Sequence, residues 1–160
     1  MATTSRASEE IAFGTPGRVL LVDDQPELRR LFRRSLNKAG FVVVEAWNGR
    51  VAIELTQQVI FDVVISDVHM PDMSGIELLQ ALREQDPDLP VVLTSGSPGP
   101  AVPLEMSELG AYAYLVKPVP FETMRDTARG AVALRRARTA AQEYTSGTRL
   151  RVPRHGGGDF

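Results

Sequence analysis

The stretch Phe61-Asp-Val-Val-Ile-Ser-Asp67-Val-His-Met-Pro71-Asp-Met-Ser-Gly75 decides the fold of this chain. Its apolar run Val63-Val64-Ile65 reads as a buried strand, and the Pro71 and Gly75 that follow mark a turn. Beyond the turn, Ile76-Glu-Leu-Leu-Gln-Ala-Leu82 has helical spacing. A single carboxylate, Asp67, stands at the junction. Open α/β sheets place their sites at the carboxyl ends of the strands, so an acid at this exit is a candidate for chemistry.

The same strand–turn–helix unit recurs on both sides. Arg18-Val-Leu-Leu-Val22 is a strand that runs into Asp23-Asp24, and Pro26 opens a helix whose inward face is Leu28, Leu31, Phe32, Leu36 and Ala39. Gly40 supplies a left-handed stop. Phe41 to Ala46 is the second strand, and Asn48-Gly49 begins a helix with Val51, Ala52, Leu55 and Val59 inward. The third strand spans Asp62 to Ser66, and Ser74 with Glu77 forms a capping box for the third helix. Val91 to Thr94 is the fourth strand. Pro98, Pro100 and Pro103 crowd the approach to the fourth helix, which is expected to be short, to begin near Pro103 and to end at Gly110. Ala111 to Val116 is the fifth strand. Pro120 starts a last helix with Phe121, Met124, Ala128 and Ala131 or Val132 inward. An interior glycine, Gly130, costs this helix about 1 kcal/mol of propensity.

Five alternating strand–helix units make a parallel sheet with helices on both faces, and right-handed crossovers restrict the topology. The expected class is α/β: a three-layer, doubly wound, flavodoxin-like fold with five parallel strands in the order 2-1-3-4-5. The expected division is a flexible segment over 1–16, one domain over 17–136, and a helical extension with a disordered basic tail over 137–160, the disorder beginning near Thr145.

Bulk properties agree with one globular domain plus a tail: 160 residues, 43% hydrophobic, 24% charged, formal net charge −2. The chain has no cysteine, which excludes thiol nucleophiles, disulfides and Cys-based metal sites. The first ten residues carry acids and no apolar core, so they do not read as a secretory leader. No apolar run approaches the ~20 residues needed to span a bilayer. A soluble, cytoplasmic protein without membrane contact is expected. The last helix is basic but lacks a base-reading motif, so it reads as a solvated face rather than a nucleic-acid contact.

In the order 2-1-3-4-5, strands 1 and 3 are neighbours, so Asp23, Asp24 and Asp67 share one crevice. Three like charges there repel unless a cation is present, and hard oxygen ligands suit Mg²⁺. Thr94 ends strand 4 and Lys117 follows strand 5, which puts a hydroxyl donor and a point charge on the same edge. Taken singly, Asp24 also reads as a helix cap, Asp67 as a turn residue, Lys117 as a surface lysine and Thr94 as an ordinary β-branched strand residue. Their joint placement favours a site.

These pieces together resemble the receiver domain of bacterial two-component response regulators. The resemblance rests on Val-Leu-Leu-Val-Asp23-Asp24, Ile-Ser-Asp67-Val-His-Met-Pro71 with Ser74-Gly75, Val-Val-Leu-Thr94-Ser95 and Tyr114-Leu-Val-Lys117-Pro118, and covers roughly residues 17–134. It implies that Asp67 accepts a phosphoryl group from a histidine kinase or a phosphotransfer protein. It implies Mg²⁺ as cofactor, held by Asp23, Asp24, Asp67 and the backbone carbonyl of His69. Thr94 and Lys117 would contact the phosphoryl oxygens, and Tyr114 would be the switch aromatic that follows Thr94. The Lys117–Pro118 peptide is expected to be cis. The output surface would be the fourth helix, fifth strand and fifth helix. The chain would not be an enzyme beyond accepting and slowly losing its own phosphoryl group.

The His69 side chain reads as a proton-transfer group, a metal ligand or an exposed loop residue. The long last helix reads as a linker to an output domain or as a coiled-coil element of a homodimer. The alternative functional class is a pseudo-receiver, a binding module that works without phosphorylation.

Overall fold

A computed structural model of the chain describes residues 15–97, 99 and 102–149. The readings that fall on residues 1–14 and 150–160 lie outside the described residues. In chain order the elements are β1 (Arg18–Val22), α1 (Pro26–Lys38), β2 (Val42–Ala46), α2 (Gly49–Gln58), β3 (Val63–Asp67), α3 (Gly75–Gln85), β4 (Val91–Ser95), α4 (Val102–Glu108), β5 (Ala113–Val116) and α5 (Phe121–Arg149). The five strands form one parallel sheet in the order β2-β1-β3-β4-β5. This is the expected flavodoxin-like, doubly wound arrangement.

Alternate residues of each central strand enter opposite cores, as the two-residue strand period requires. Leu20, Val22, Val64 and Leu93 pack with Ala52, Leu78, Leu82 and Met106, on the face covered by α2, α3 and α4. Val19, Leu21, Val63, Ile65 and Val92 pack with Phe32, Leu36, Met124 and Ala128, on the face covered by α1 and α5. With both faces covered, β1, β3 and β4 read as continuous apolar runs.

Local signals behave largely as the residue types dictate. Asn48 caps α2 by accepting from Val51 N. Ser74 and Glu77 form the complete capping box of α3. Gly40 and Gly110 take the left-handed conformation at the ends of α1 and α4, with φ of 94° and 87°. α4 is only seven residues long and starts at Val102, as the prolines around it require.

Several expectations are corrected. Leu31 is 51% exposed, whereas Ser35 is buried beside Phe32 and Leu36. At 100° per residue the inward stripe turns toward Leu28, Phe32, Ser35 and Leu36, and Leu31 falls off its edge. Phe121 is 44% exposed, although its ring meets Phe32 edge-on at 5.6 Å. β3 begins at Val63 and keeps Asp67 within the ladder, paired with Thr94. β2 starts at Val42, because Phe41 N closes the end of α1 on Leu36 O. β5 starts at Ala113, because Ala111 N still serves Met106 O. α5 passes residue 145 without a break and reaches Arg149.

That extension is fastened to the body by polar contacts. Arg135 grips the Asp86 carboxylate with two hydrogen bonds, 2.9 and 2.5 Å, and Arg138 donates to the Asp88 carbonyl at 3.3 Å. Gln142 donates to the Asp88 carboxylate. Burial would raise the Asp86 pKa, but the Arg135 fork outweighs it and holds the carboxyl below its ordinary value. Among the described residues no helix is long and apolar enough to cross a membrane.

Candidate functional site

The carboxyl edge of the sheet brings four of the expected side chains together. β1 ends one residue before Asp23, and β3 ends on Asp67. Because β1 and β3 pair directly, carboxylate oxygens of Asp23, Asp24 and Asp67 lie within 4.8 Å of one another. Asp23 and Asp67 are buried, each 5% exposed, while Asp24 faces solvent. Asp24 does not cap α1: the cap position is Gln25, whose N–H is taken by Asp23 Oδ1 at 2.9 Å.

Lys117 reaches into this cluster from the loop after β5. Its Nζ donates to Asp67 Oδ2 at 3.1 Å and to Asp23 Oδ2 at 3.3 Å. The Lys117–Pro118 peptide is cis, as the resemblance implies. Burial pushes the Asp23 carboxyl above its ordinary pKa. The Gln25 N–H and the Lys117 ammonium pull it down, and the Asp67 carboxylate pushes it up again. One cation for three carboxylates leaves room for a second, and an all-oxygen donor set suits a hard divalent ion.

Thr94 is buried at 4% exposure and sits in register with Asp67 on the neighbouring strand. Two residues on, Gly96 leaves open space where a side chain would stand. His69 enters the site through its backbone: its N–H donates to Asp67 Oδ1 at 3.2 Å, while its side chain is exposed. Tyr114 packs against the core on the α3–α4 side, and its hydroxyl is buried without a protein partner among the described residues.

Three supporting features were not legible beforehand. Arg29 donates to the Asp23 carbonyl at 2.6 Å and lies 3.5 Å from Glu45, so α1 and β2 together fix the Asp23 backbone. The spacing of Arg29 from Asp23 carries a signal, but Glu45 is distant in sequence and does not. Trp47, the only tryptophan, is 58% exposed directly after Ala46, whose carbonyl accepts from Asp23 N. Gly75 carries α3 directly onto the acceptor loop. Its N–H donates to Val68 O at 2.9 Å, and a Cβ there would collide with the Asp67 carbonyl oxygen. The glycine was visible as a turn signal; the close approach that requires it was not.

The comparisons with known proteins agree with this geometry. The family described as "Response regulator receiver domain" matches residues 19–129. The chain is 38% identical over 124 residues to the C4-dicarboxylate transport transcriptional regulatory protein DctD of Pseudomonas aeruginosa, which covers 78% of this chain and 27% of that protein. It is 35% identical over 102 residues to the chemotaxis protein CheY of Thermotoga maritima, covering 63% of this chain and 85% of CheY. Among solved structures, the chemotaxis protein CheY4 of Vibrio cholerae superposes with a TM-score of 0.69 at 36% identity, covering 72% of this chain and 98% of that one. The chain thus spans about a quarter of DctD and most of CheY. Five strands in the order 2-1-3-4-5, an acid cluster at the ends of β1 and β3, a bridging lysine and a family match over residues 19–129 give one conclusion: the chain belongs to the response regulator receiver domains of two-component signalling.

Proposed function

We propose that Asp67 is a phosphoacceptor, receiving its phosphoryl group from the phosphohistidine of a sensor histidine kinase or of a phosphotransfer protein. A carboxylate oxygen of Asp67 attacks phosphorus, and the phosphorus–nitrogen bond to histidine breaks. The imidazole leaves with that electron pair and takes up a proton, and an acyl phosphate remains on Asp67. The observation that carries this reading is the bridging of Asp23 and Asp67 by Lys117 Nζ at 3.3 and 3.1 Å beside the exposed carboxylate of Asp24.

Phosphoryl transfer has a loose transition state, so placement and charge neutralisation do most of the work. Asp23, Asp24, Asp67 and the His69 backbone carbonyl are the ligands this reading assigns to Mg²⁺, which when bound offsets the negative charge of the phosphoryl oxygens. Lys117 exchanges its Asp67 contact for one of those oxygens. Thr94, in register with Asp67, turns its hydroxyl toward another. The His69 N–H, already on Asp67 Oδ1, holds the carboxylate in orientation, and the exposed imidazole takes no part in the transfer.

The acyl phosphate carries roughly −1.5 to −2 charges where the carboxylate carried −1, so the carboxyl edge gains up to about one negative charge, spread over three new oxygens. Thr94 and Lys117 are drawn toward that charge, and Tyr114, on the neighbouring strand β5 opposite Leu93, is the reporter of the change. The α4–β5–α5 face is the output surface, and the extended α5 leads to an output domain or to a second copy. The chain is an acceptor rather than a turnover enzyme.

Incubation with Mg²⁺ and acetyl phosphate should add one phosphoryl mass to the wild type and none to Asp67→Ala. An unmodified wild type at saturating Mg²⁺ across several small donors would overturn the reading. Full signalling by Asp67→Asn would replace it with a phosphorylation-independent binding module. Repeated turnover of an aryl phosphate would make the chain a phosphohydrolase.

A further inference from the structure

Asp23 is held at every polar atom. Its N–H donates to Ala46 O at 3.2 Å, its Oδ1 accepts from Gln25 N at 2.9 Å, and its Oδ2 accepts from Lys117 Nζ at 3.3 Å. Its carbonyl oxygen accepts from Arg29 Nη1 at 2.6 Å. That last bond acts on more than Asp23. A peptide unit is planar, so a grip on the Asp23 carbonyl also sets the Cα of Asp24. Asp24 is exposed, and this peptide carries its carboxylate to within 4.8 Å of the other two acids.

The cation that makes this grip is itself held. Arg29 lies in the first turn of α1, and its side chain is 14% exposed. Its Nε is buried 3.5 Å from Glu45 Oε1 and makes no hydrogen bond among the described residues. Glu45, on β2 opposite Leu21 of β1, therefore acts on Nε as a charge partner rather than as an acceptor. A guanidinium kept from water needs such a partner. The pairing also decides which of two opposing effects wins at the acid cluster. An uncompensated cation behind Asp23 would repel a divalent ion, whereas one neutralised by Glu45 acts mainly through placement of the ligands. Arg33, the second partner of Glu45 at 2.9 Å, is half exposed, and water screens its charge.

We propose that Arg29, backed by Glu45, is a positioning residue for the divalent cation: by fixing the peptide between Asp23 and Asp24 it presents both carboxylates together. The inference rests on the reading of Asp23, Asp24 and Asp67 as a Mg²⁺ site. It adds that α1 and β2, neither of which carries a ligand, set how tightly the ion is held. Groups that orient a metal's ligands typically govern roughly 10- to 100-fold in affinity.

The test is a Mg²⁺ titration of the full chain. Trp47, the only tryptophan, follows the Ala46 that accepts from Asp23 N, and its fluorescence serves as the reporter; the rise in Tm with Mg²⁺ is the second readout. Arg29→Met keeps an apolar stem and removes the donor. It should weaken Mg²⁺ binding roughly 10- to 100-fold, and Glu45→Gln should shift affinity in the same direction. Arg33→Met, which removes the exposed partner of Glu45, should bind as the wild type does. Well below Tm, phosphorylation of Arg29→Met by acetyl phosphate should need more Mg²⁺ for half its limiting rate while the limiting rate stays near wild type, a split that loss of folded protein would not give. Unchanged or tighter Mg²⁺ binding by Arg29→Met, or an equal loss in Arg33→Met, would overturn the inference and leave the metal site standing. A wild type with no Mg²⁺ response in either readout would remove the metal site, and this inference with it.

Discussion

Gly75→Ala moves the acceptor loop without altering an acid. Gly75 opens α3, and its N–H closes on Val68 O at 2.9 Å. An added Cβ would collide with the Asp67 carbonyl oxygen and stand 2.9 Å from Val68 Cα. Every obstructing atom is backbone, so no rotamer relieves the clash. Ordinary carbon contacts lie at ~3.5–4.0 Å, and restoring them displaces the loop or the first turn of α3 by roughly 1 Å. Overpacking of this kind costs ~1–3 kcal/mol, equivalent to a fall in Tm of ~2–12 °C for a chain of this length. The opposing gain from replacing glycine in a helix is at most ~1 kcal/mol. For a transfer that depends on placement, a 1 Å error costs on the order of 100-fold in rate. The assay is the time course of Asp67 phosphorylation by acetyl phosphate at saturating Mg²⁺, followed by intact mass, with a melt on the same samples. Ser74→Ala is the control, because it removes the capping box, worth about 1 kcal/mol, and aims no methyl at Asp67. It should lower Tm and leave the rate nearly unchanged. A Gly75→Ala protein with wild-type Tm and rate would refute the reasoning, and equal slowing in both variants would show that the rate only tracks stability.

Lys117→Ala removes the cation that bridges Asp23 and Asp67. Phosphorylation should slow by ~100- to 1,000-fold, the scale for losing one preorganised charge donor, while Mg²⁺ affinity holds or rises because Lys117 competes for the same oxygens; a Trp47 fluorescence titration that lost Mg²⁺ binding would contradict this. Asp86 titrates below its ordinary value because Arg135 outweighs burial. Its contribution is therefore present above the unfolded pKa of ~3.9 and fades as pH falls through the lower folded value. Asp86→Asn should lose about 1 kcal/mol in urea unfolding at neutral pH and converge with the wild type in acid, whereas a pH-independent difference would mean that packing and not charge was removed. Gly130 lies 2.5 Å, from an added Cβ, to the hydroxyl of Tyr112, which is 38% exposed. Gly130→Ala should thus gain less than the ~1 kcal/mol of helix propensity in the wild type and recover the full gain in a Tyr112→Ala background, as a double-mutant cycle by denaturant melts would show.

The strand-end acids were legible because a topological rule puts the exits of β1 and β3 side by side, and an apolar run followed by an acid is visible in one dimension. Lys117 and Thr94 were legible for the same reason. Periodicity tells which side of a helix is apolar but not where its edge falls, which is why Leu31 was placed inside and buried Ser35 was missed. The helical extension itself was legible, but its fastening was not, because Arg135, Arg138 and Gln142 find their partners at Asp86 and Asp88, some fifty residues earlier. Gly130 read as a propensity penalty, and only the position of the Tyr112 hydroxyl explains it. The roles of Glu45, Arg135 and Tyr112 were missed because each depends on a partner distant in sequence, which no local spacing encodes.

The position of α3 bears on how a change at Asp67 leaves the domain. At one end Gly75 rests on the Asp67–Val68 backbone; at the other Asp86 caps the helix and holds Arg135 of α5. Eleven residues of helix span ~16 Å between them, so α3 joins the acceptor loop to the extended helix through backbone and one bidentate pair. α4, by contrast, has seven residues and a proline-crowded approach, so β5 and α5 supply most of the α4–β5–α5 face. Contiguity alone is not coupling. It does mean that the same Asp86→Asn change that weakens folding at neutral pH also cuts the α3–α5 connection. If α3 carries the signal, that variant should accept a phosphoryl group normally, and phosphorylation should no longer alter amide exchange in α5 beyond Arg135.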